Sequence, residues 1–90
     1  MSNLKRWTVV FKALANINRL KIVRFLSGGK RMSVGEIARE LKISVTATSN
    51  HLILLEKLEV LEAEGTAGHV FYFLNSDMPS DFSSATSLFR

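Results

Sequence analysis

Apolar side chains recur every three to four residues up to position 58 and every second residue from 61 onward, a change of period that predicts helices followed by a β-hairpin. The clearest stretch is 33–58. Ser33 and Glu36 have the S-x-x-E spacing of a capping box, in which each side chain satisfies an orphan backbone donor at a helix start. Met32 and Ile37 flank the box as a hydrophobic staple. Val34, Ile37, Ala38 and Leu41 follow at i, i+3, i+4 and i+7, turning one stripe inward while Arg39, Glu40 and Lys42 stay in water. Ile43 is expected as a buried turn residue and Ser44 as a second N-cap. Beyond it Leu52, Leu55 and Leu58 form an inward face, with Thr46, Ser49, Asn50 and Ile53 opposite. Two capped helices joined by a short turn make a helix-turn-helix pattern.

Upstream, Leu4, Trp7, Phe11 and Leu14 form a stripe over residues 3–14, and Val9 and Val10 widen it, which predicts a second buried contact. Asn16 is placed to cap a helix over 17–27, with Leu20, Ile22, Val23 and Leu26 in the core and Gly28-Gly29 as its stop. Downstream, Leu61, Ala63 and Gly65 alternate with Glu62 and Glu64, residues 66–69 offer a turn, and VFYFL at 70–74 reads as a strand. That strand is apolar on both faces, so one face should pack on the helices and the other be partly covered. After Asn75, Pro79 suits a first helical turn, with Phe82, Ala85 and Phe89 at helical spacing. The Ser and Thr around them lower helix propensity, so this tail should need a partner surface. The expected fold is mainly α with a β-hairpin wing (α+β), a winged helix-turn-helix forming a single domain over 1–90. Its parts are a helix-turn-helix at 33–58, a wing at 60–74 and a C-terminal dimerisation tail at 76–90.

The outer face of the second capped helix points to a function. It begins with Thr46, Ser49 and Asn50, where a solvated helix would carry Lys and Glu, and small polar side chains let a helix approach another surface closely. In a major groove Asn can bond adenine bidentately, Ser or Thr can bond either base type, and an apolar group can touch the thymine methyl. Without such a surface, the same two helices would be a hairpin packing its core. Charge is polarised as well: residues 1–43 hold ten Lys or Arg against Glu36 and Glu40, whereas residues 59–90 hold five acids against Arg90. The basic half could face nucleic acid; alternatively, its charges solvate helix faces or meet the acidic half across a dimer.

Several classes are excluded or unsupported. The chain has no cysteine, which rules out disulfides, thiolate metal sites and cysteine nucleophiles and is compatible with a reducing cytoplasm. LILL at 52–55 and VFYFL are far too short to span a bilayer, and no signal-peptide pattern opens the chain. His51 and His69 belong to no nucleophile, metal or phosphate-loop motif: His51 reads as a packing residue or a DNA phosphate contact, His69 as a solvated group at the hairpin tip. Glu62 and Glu64 share a strand face with nothing basic or nucleophilic near them in sequence. Nothing here reads as an enzyme, and no cofactor is implied.

The order of these elements, and the wording of residues 10–74, resemble the winged-helix repressors of the ArsR family. ALANINRLKIVRFL is similar to the family's ALADPTRLRIL opening, and ISVTATSNHLILLE to its LSQSxVSxHLxxL recognition helix. The resemblance implies a homodimeric, sequence-specific repressor of double-stranded DNA whose first and last helices form the dimer interface. Carried over by position, it puts Val45, Thr46, Ser49 and Asn50 at the major groove and His51 at the family's histidine before leucine. Three departures stand out. Ser33 and Gly35 occupy the positions of the cysteine pair in metal-sensing members, Glu59 stands where a glycine often ends the recognition helix, and the wing carries Glu62 and Glu64 where arginine is common.

From these readings follow four expectations: a homodimer joined through 3–14 and 78–89 by Val9, Val10, Phe82 and Phe89; no metal site of the family type; Asn50 as the main base-reading residue; and Arg31 and Lys42 as phosphate contacts, with His69 the wing's only candidate for DNA. Asp77 and Asp81 offer only a weak hard-cation site. Two other functions remain open: a protein-interaction module using the hairpin and Ile53 against an unidentified protein partner, and an RNA-binding or architectural role for the basic half.

Overall fold

A computed structural model describes residues 3–90, so the first two positions of the expected domain lie outside the described residues. The elements are α1 (Leu4–Leu14), α2 (Ile17–Phe25), a 3-10 turn (Ser27–Gly29), β1 (Met32–Ser33), α3 (Val34–Leu41), α4 (Val45–Lys57), β2 (Leu61–Thr66), β3 (His69–Leu74) and α5 (Ser80–Thr86). Helix α2 is two residues shorter than expected, because Gly28 and Gly29 take φ of 73° and 79° just beyond it. No helix among the described residues is long and apolar enough to cross a membrane.

Local chemistry sets the central pair. Ser33 accepts from the Glu36 N–H at 3.2 Å and Glu36 accepts from the Ser33 N–H at 2.9 Å, closing the capping box. These backbone and hydroxyl contacts hold the Glu36 carboxyl below its ordinary pKa. Met32 and Ile37 are both buried. Lys42 ends α3 in the left-handed region, φ 58°, with the Ile43 N–H reaching Ala38 O at 3.3 Å, and Ile43 is half-buried. Ser44 then caps α4, its hydroxyl accepting from the Ala47 N–H at 3.0 Å. The far end of α4 closes the same way: Glu59 takes φ 64°, its N–H bonds Glu56 O, and the Val60 N–H bonds Leu55 O. This is a Schellman stop, and Val60 and Leu55 are both fully buried beneath it.

The sheet has three antiparallel strands in the order β1-β3-β2. The hairpin turns through Ala67 and Gly68, both at positive φ (49° and 81°), the pattern of a two-residue type I′ turn. Register pairs Leu61 with Leu74 and Ala63 with Tyr72, and on the alternate face Glu62 with Phe73 and Glu64 with Phe71. Leu61, Tyr72 and Leu74 join the core. Strand β1 was not expected; two residues are too few for a period of two to register.

One core is built from every helix and all three strands, including Val10, Ile22, Leu26, Ile37, Leu52 and Phe82. This corrects the expected stripe of α1. Leu4 and Phe11 are exposed, 77% and 61%, while Val10, Ala13 and Leu14 are buried. The cause is α5: Arg6 binds Asp81 through two contacts, 2.6 and 3.2 Å, and lies 5.3 Å over the Phe82 ring. Arg6, Val10 and Ala13, at i, i+4 and i+7, therefore turn inward together. It also corrects the apolar surplus expected at the interface: Val10 and Phe82 are buried in the chain's own core, and Leu4, Val9, Phe11 and Leu88 remain outside it.

Candidate nucleic-acid interface

Helix α4 presents two chemically different sides. Thr48, Leu52 and Leu55 are buried, with the Thr48 hydroxyl satisfied by donating to Ser44 O at 2.9 Å. Opposite them, Thr46 and Asn50 are exposed, Ser49 is half-buried, and Val45 and Ile53 expose 52% and 46%. Val45, Thr46, Ser49 and Asn50 thus lie together on the first two turns, with no long charged side chain among them to obstruct a close approach.

The other expected site residues do not all join that face. His51 turns toward α2, its Nδ1 accepting from Arg19 Nη1 at 3.2 Å. Burial, and then the Arg19 charge, hold its pKa below the ordinary histidine value. Lys42 is exposed at the turn before α4. Arg31 is drawn onto the wing: its Nη2 forms an ion pair with Glu64 Oε1 at 3.1 Å and its guanidinium sits 4.2 Å over the Phe73 ring. Arg31 therefore supplies cover for the outer face of β3, and Glu64 has a cationic partner that lies 33 residues away in sequence. His69 is exposed at the base of the turn, its ring 6.2 Å from that of Phe71.

Arg19 is the residue that pattern reading missed. It stands in NRLK, where only the apolar positions were used. Its Nε and Nη2 donate to Ala13 O and Lys12 O at the end of α1, while Nη1 reaches His51 on α4. No local spacing signals a contact across 32 residues; the resemblance of ALANINRLKIV to a family opening was the available hint.

Electrostatics divides the surface. Glu56, Glu59, Glu62 and Glu64 line a shallow concavity of about 470 Å³ between the end of α4 and the wing, a face that repels phosphate. At the two family positions for a cysteine pair, the Ser33 hydroxyl serves the Glu36 N–H and Gly35 has no side chain. Among the described residues no three His, Cys, Asp or Glu side chains are grouped to hold a metal.

A helix-turn-helix with a small polar outer face, followed by a hairpin wing, defines a DNA-binding transcriptional regulator, and comparison with known proteins agrees. Residues 16–63 match the model of the bacterial regulatory protein, arsR family. The chain is 36% identical over 72 residues to the transcriptional repressor SdpR of Bacillus subtilis, covering 80% of this chain and 79% of that one. It is 36% identical over 74 residues to the transcriptional activator HlyU of Vibrio cholerae, 82% of this chain and 68% of that one. Reduced HlyU superposes with a TM-score of 0.79, covering 96% of this chain and 86% of that chain at 32% identity. A homodimeric winged helix-turn-helix DNA-binding domain from Mycobacterium bovis superposes with a TM-score of 0.75 at 28% identity, over 94% of this chain and 75% of that chain. The chain belongs to the ArsR family, whose members are regulators and not enzymes.

Proposed function

We propose that the chain acts as a homodimeric, sequence-specific repressor that lays α4 of each protomer in successive major grooves. The observation that carries this reading is the row Val45, Thr46, Ser49 and Asn50, small and outward-facing on the first two turns of a doubly capped helix. Asn50 supplies the donor and acceptor pair for adenine, Thr46 and Ser49 add single bonds, and Val45 packs on a thymine methyl. Lys42 is free to meet phosphate; Arg31 must first leave Glu64.

Dimerisation is supported by Leu4, Val9, Phe11 and Leu88, exposed on α1 and beyond α5, two elements already joined through Arg6 and Asp81. Apolar surface of this kind commonly marks an interface, and the Mycobacterium bovis neighbour is homodimeric. A two-fold dimer prefers an inverted repeat with half-sites about one helical turn apart, roughly 34 to 36 Å. Repression is favoured by the relation to SdpR, although HlyU is an activator. Acting on chromosomal DNA, the protein would work in the cytoplasm. If an effector switches it, the switch does not run through metal at positions 33 and 35.

Selection from random duplex DNA, followed by a salt series on the selected sequence, tests the function. Enrichment of an inverted repeat and a steep fall of affinity with salt are expected. The acidic concavity and exposed Ile53 favour a second reading, a protein-interaction module. Absence of duplex binding at low salt would overturn the first reading and favour the second.

A further inference from the structure

Helix α1 and the DNA-reading helix are tied by a single side chain. Arg19 lies in the first turn of α2, where its own N–H is fixed by the Asn16 cap at 3.1 Å. From there its guanidinium meets three groups: Ala13 O, Lys12 O at 3.2 Å, and His51 Nδ1 at 3.2 Å. The two carbonyls belong to the last turn of α1, where carbonyls lack helical partners and favour a cation. Phe11 O, by contrast, is capped by the Ala15 N–H.

We propose that Arg19 is the positioning residue of the interface, locking the rotation of α4 against the end of α1 by holding the His51 ring in one tautomer. A guanidinium can only donate, so Nδ1 of His51 must be the bare nitrogen and the ring proton sits on Nε2. Burial and the Arg19 charge both disfavour a second proton on the ring. The planar fork, with donors in fixed directions, sets the angle between the two elements as well as their distance; an ammonium group cannot do this.

The consequence falls on Asn50, the neighbour of His51 on α4. At a radius of about 5 Å, a roll of about 20° around the helix axis carries a side-chain tip by roughly 2 Å, enough to break a bidentate base contact. Because α1 also carries the exposed Leu4, Val9 and Phe11, the same tie sets the bearing of α4 relative to a dimer partner. The inference rests on α4 being the DNA-reading helix, and its test separates the two.

Arg19→Lys keeps the charge and loses the fork. Ring nitrogen NMR of the full chain should show His51 in the Nε2–H tautomer in the parent. In Arg19→Lys, which retains the charge but not the fixed donor direction, the ring should become a mixture of tautomers. Affinity for the selected duplex should fall about tenfold while affinity for a scrambled duplex changes less than about twofold, circular dichroism remaining that of the parent. In a His51→Phe background, Arg19→Lys should cost little further specificity, which plain capping of α1 would not predict. A variant that unfolds is replaced by Arg19→Gln, read in the same way. An unchanged tautomer, or an unchanged ratio of the two affinities, overturns the proposal. If the parent binds no duplex, the DNA reading fails, and the ring spectrum alone decides whether Arg19 holds His51.

Discussion

Arg31 and Glu64 form an ion pair between the residue just before β1 and the outer face of the wing, Nη2 to Oε1 3.1 Å. Phe73 lies beneath the guanidinium at 4.2 Å. Both charged side chains are well exposed, so the pair contributes at most about 1 kcal/mol to folding. Its larger effect is on charge: a cation that could meet phosphate is neutralised at home.

Replacing Glu64 with Gln should therefore leave thermal stability nearly unchanged and raise affinity for duplex DNA severalfold, regardless of sequence. Fluorescence anisotropy over a salt series should show the slope steepening by about one unit, the signature of one added phosphate contact. An unaltered slope would mean that Arg31 lies beyond reach of the backbone.

Glu59→Gly should stabilise the fold. Glu59 occupies the left-handed region at φ 64°, a conformation that costs a residue with a Cβ about 1–2 kcal/mol. Glycine gives back about 0.5–1 kcal/mol of that through its greater freedom when unfolded. A net gain of about 0.5–1 kcal/mol should appear as a rise in Tm of roughly 2–8 °C. Glu59→Gln keeps the Cβ and should gain nothing, which separates the backbone effect from removal of an acid beside Glu56 and Glu62.

The backbone at Glu59 also shows what could be read from the chain. Its glycine-like position follows from the family resemblance, whereas the Ser33 and Ser44 caps and the alternation through Leu61 and Ala63 are local signals carried by residues within a few positions of one another. The face of α1 was not legible, because Leu4-Trp7-Phe11 and Trp7-Val10-Leu14 are equally good helical stripes. Docking of Asp81 and Phe82 on Arg6 accompanies the second of these faces. At the site, the row from Val45 to Asn50 follows from helix period alone. The pairing of Arg31 with Glu64 and the hold of Arg19 on His51 depend on chain distances that no period encodes.

Asp81→Asn should loosen α5. The pair of contacts from Arg6 holds the Asp81 carboxyl below the usual carboxylate range, the Phe82 N–H helping at 2.7 Å. A depressed folded pKa means that this contribution is present above the ordinary value near 3.8 and lost as pH falls through the folded value. Denaturant midpoints from pH 5 to 2 should therefore fall less steeply in the variant; Glu36, also depressed, titrates in the same window and supplies the remaining slope. For His51 the neutral ring is the native form, so its contribution is full above its ordinary value near 6.5 and declines as pH falls below it. His51→Phe should remove that component.

Light scattering should give twice the chain mass at micromolar concentration. Phe11→Glu, at a residue 61% exposed on α1, should return the mass of a single chain with the helical spectrum intact. A parent that scatters as a single chain at high micromolar concentration would leave the inverted repeat without a physical basis.

The central claim is that the outer face of α4 reads bases, and Asn50 is its sharpest point. The deciding measurement is the affinity of Asn50→Ala for the selected duplex and for a scrambled one, with circular dichroism confirming the fold. Loss of a bidentate adenine contact should weaken the selected duplex by about 1–3 kcal/mol and leave the scrambled one unchanged. Equal affinities of variant and parent for both duplexes would contradict the account.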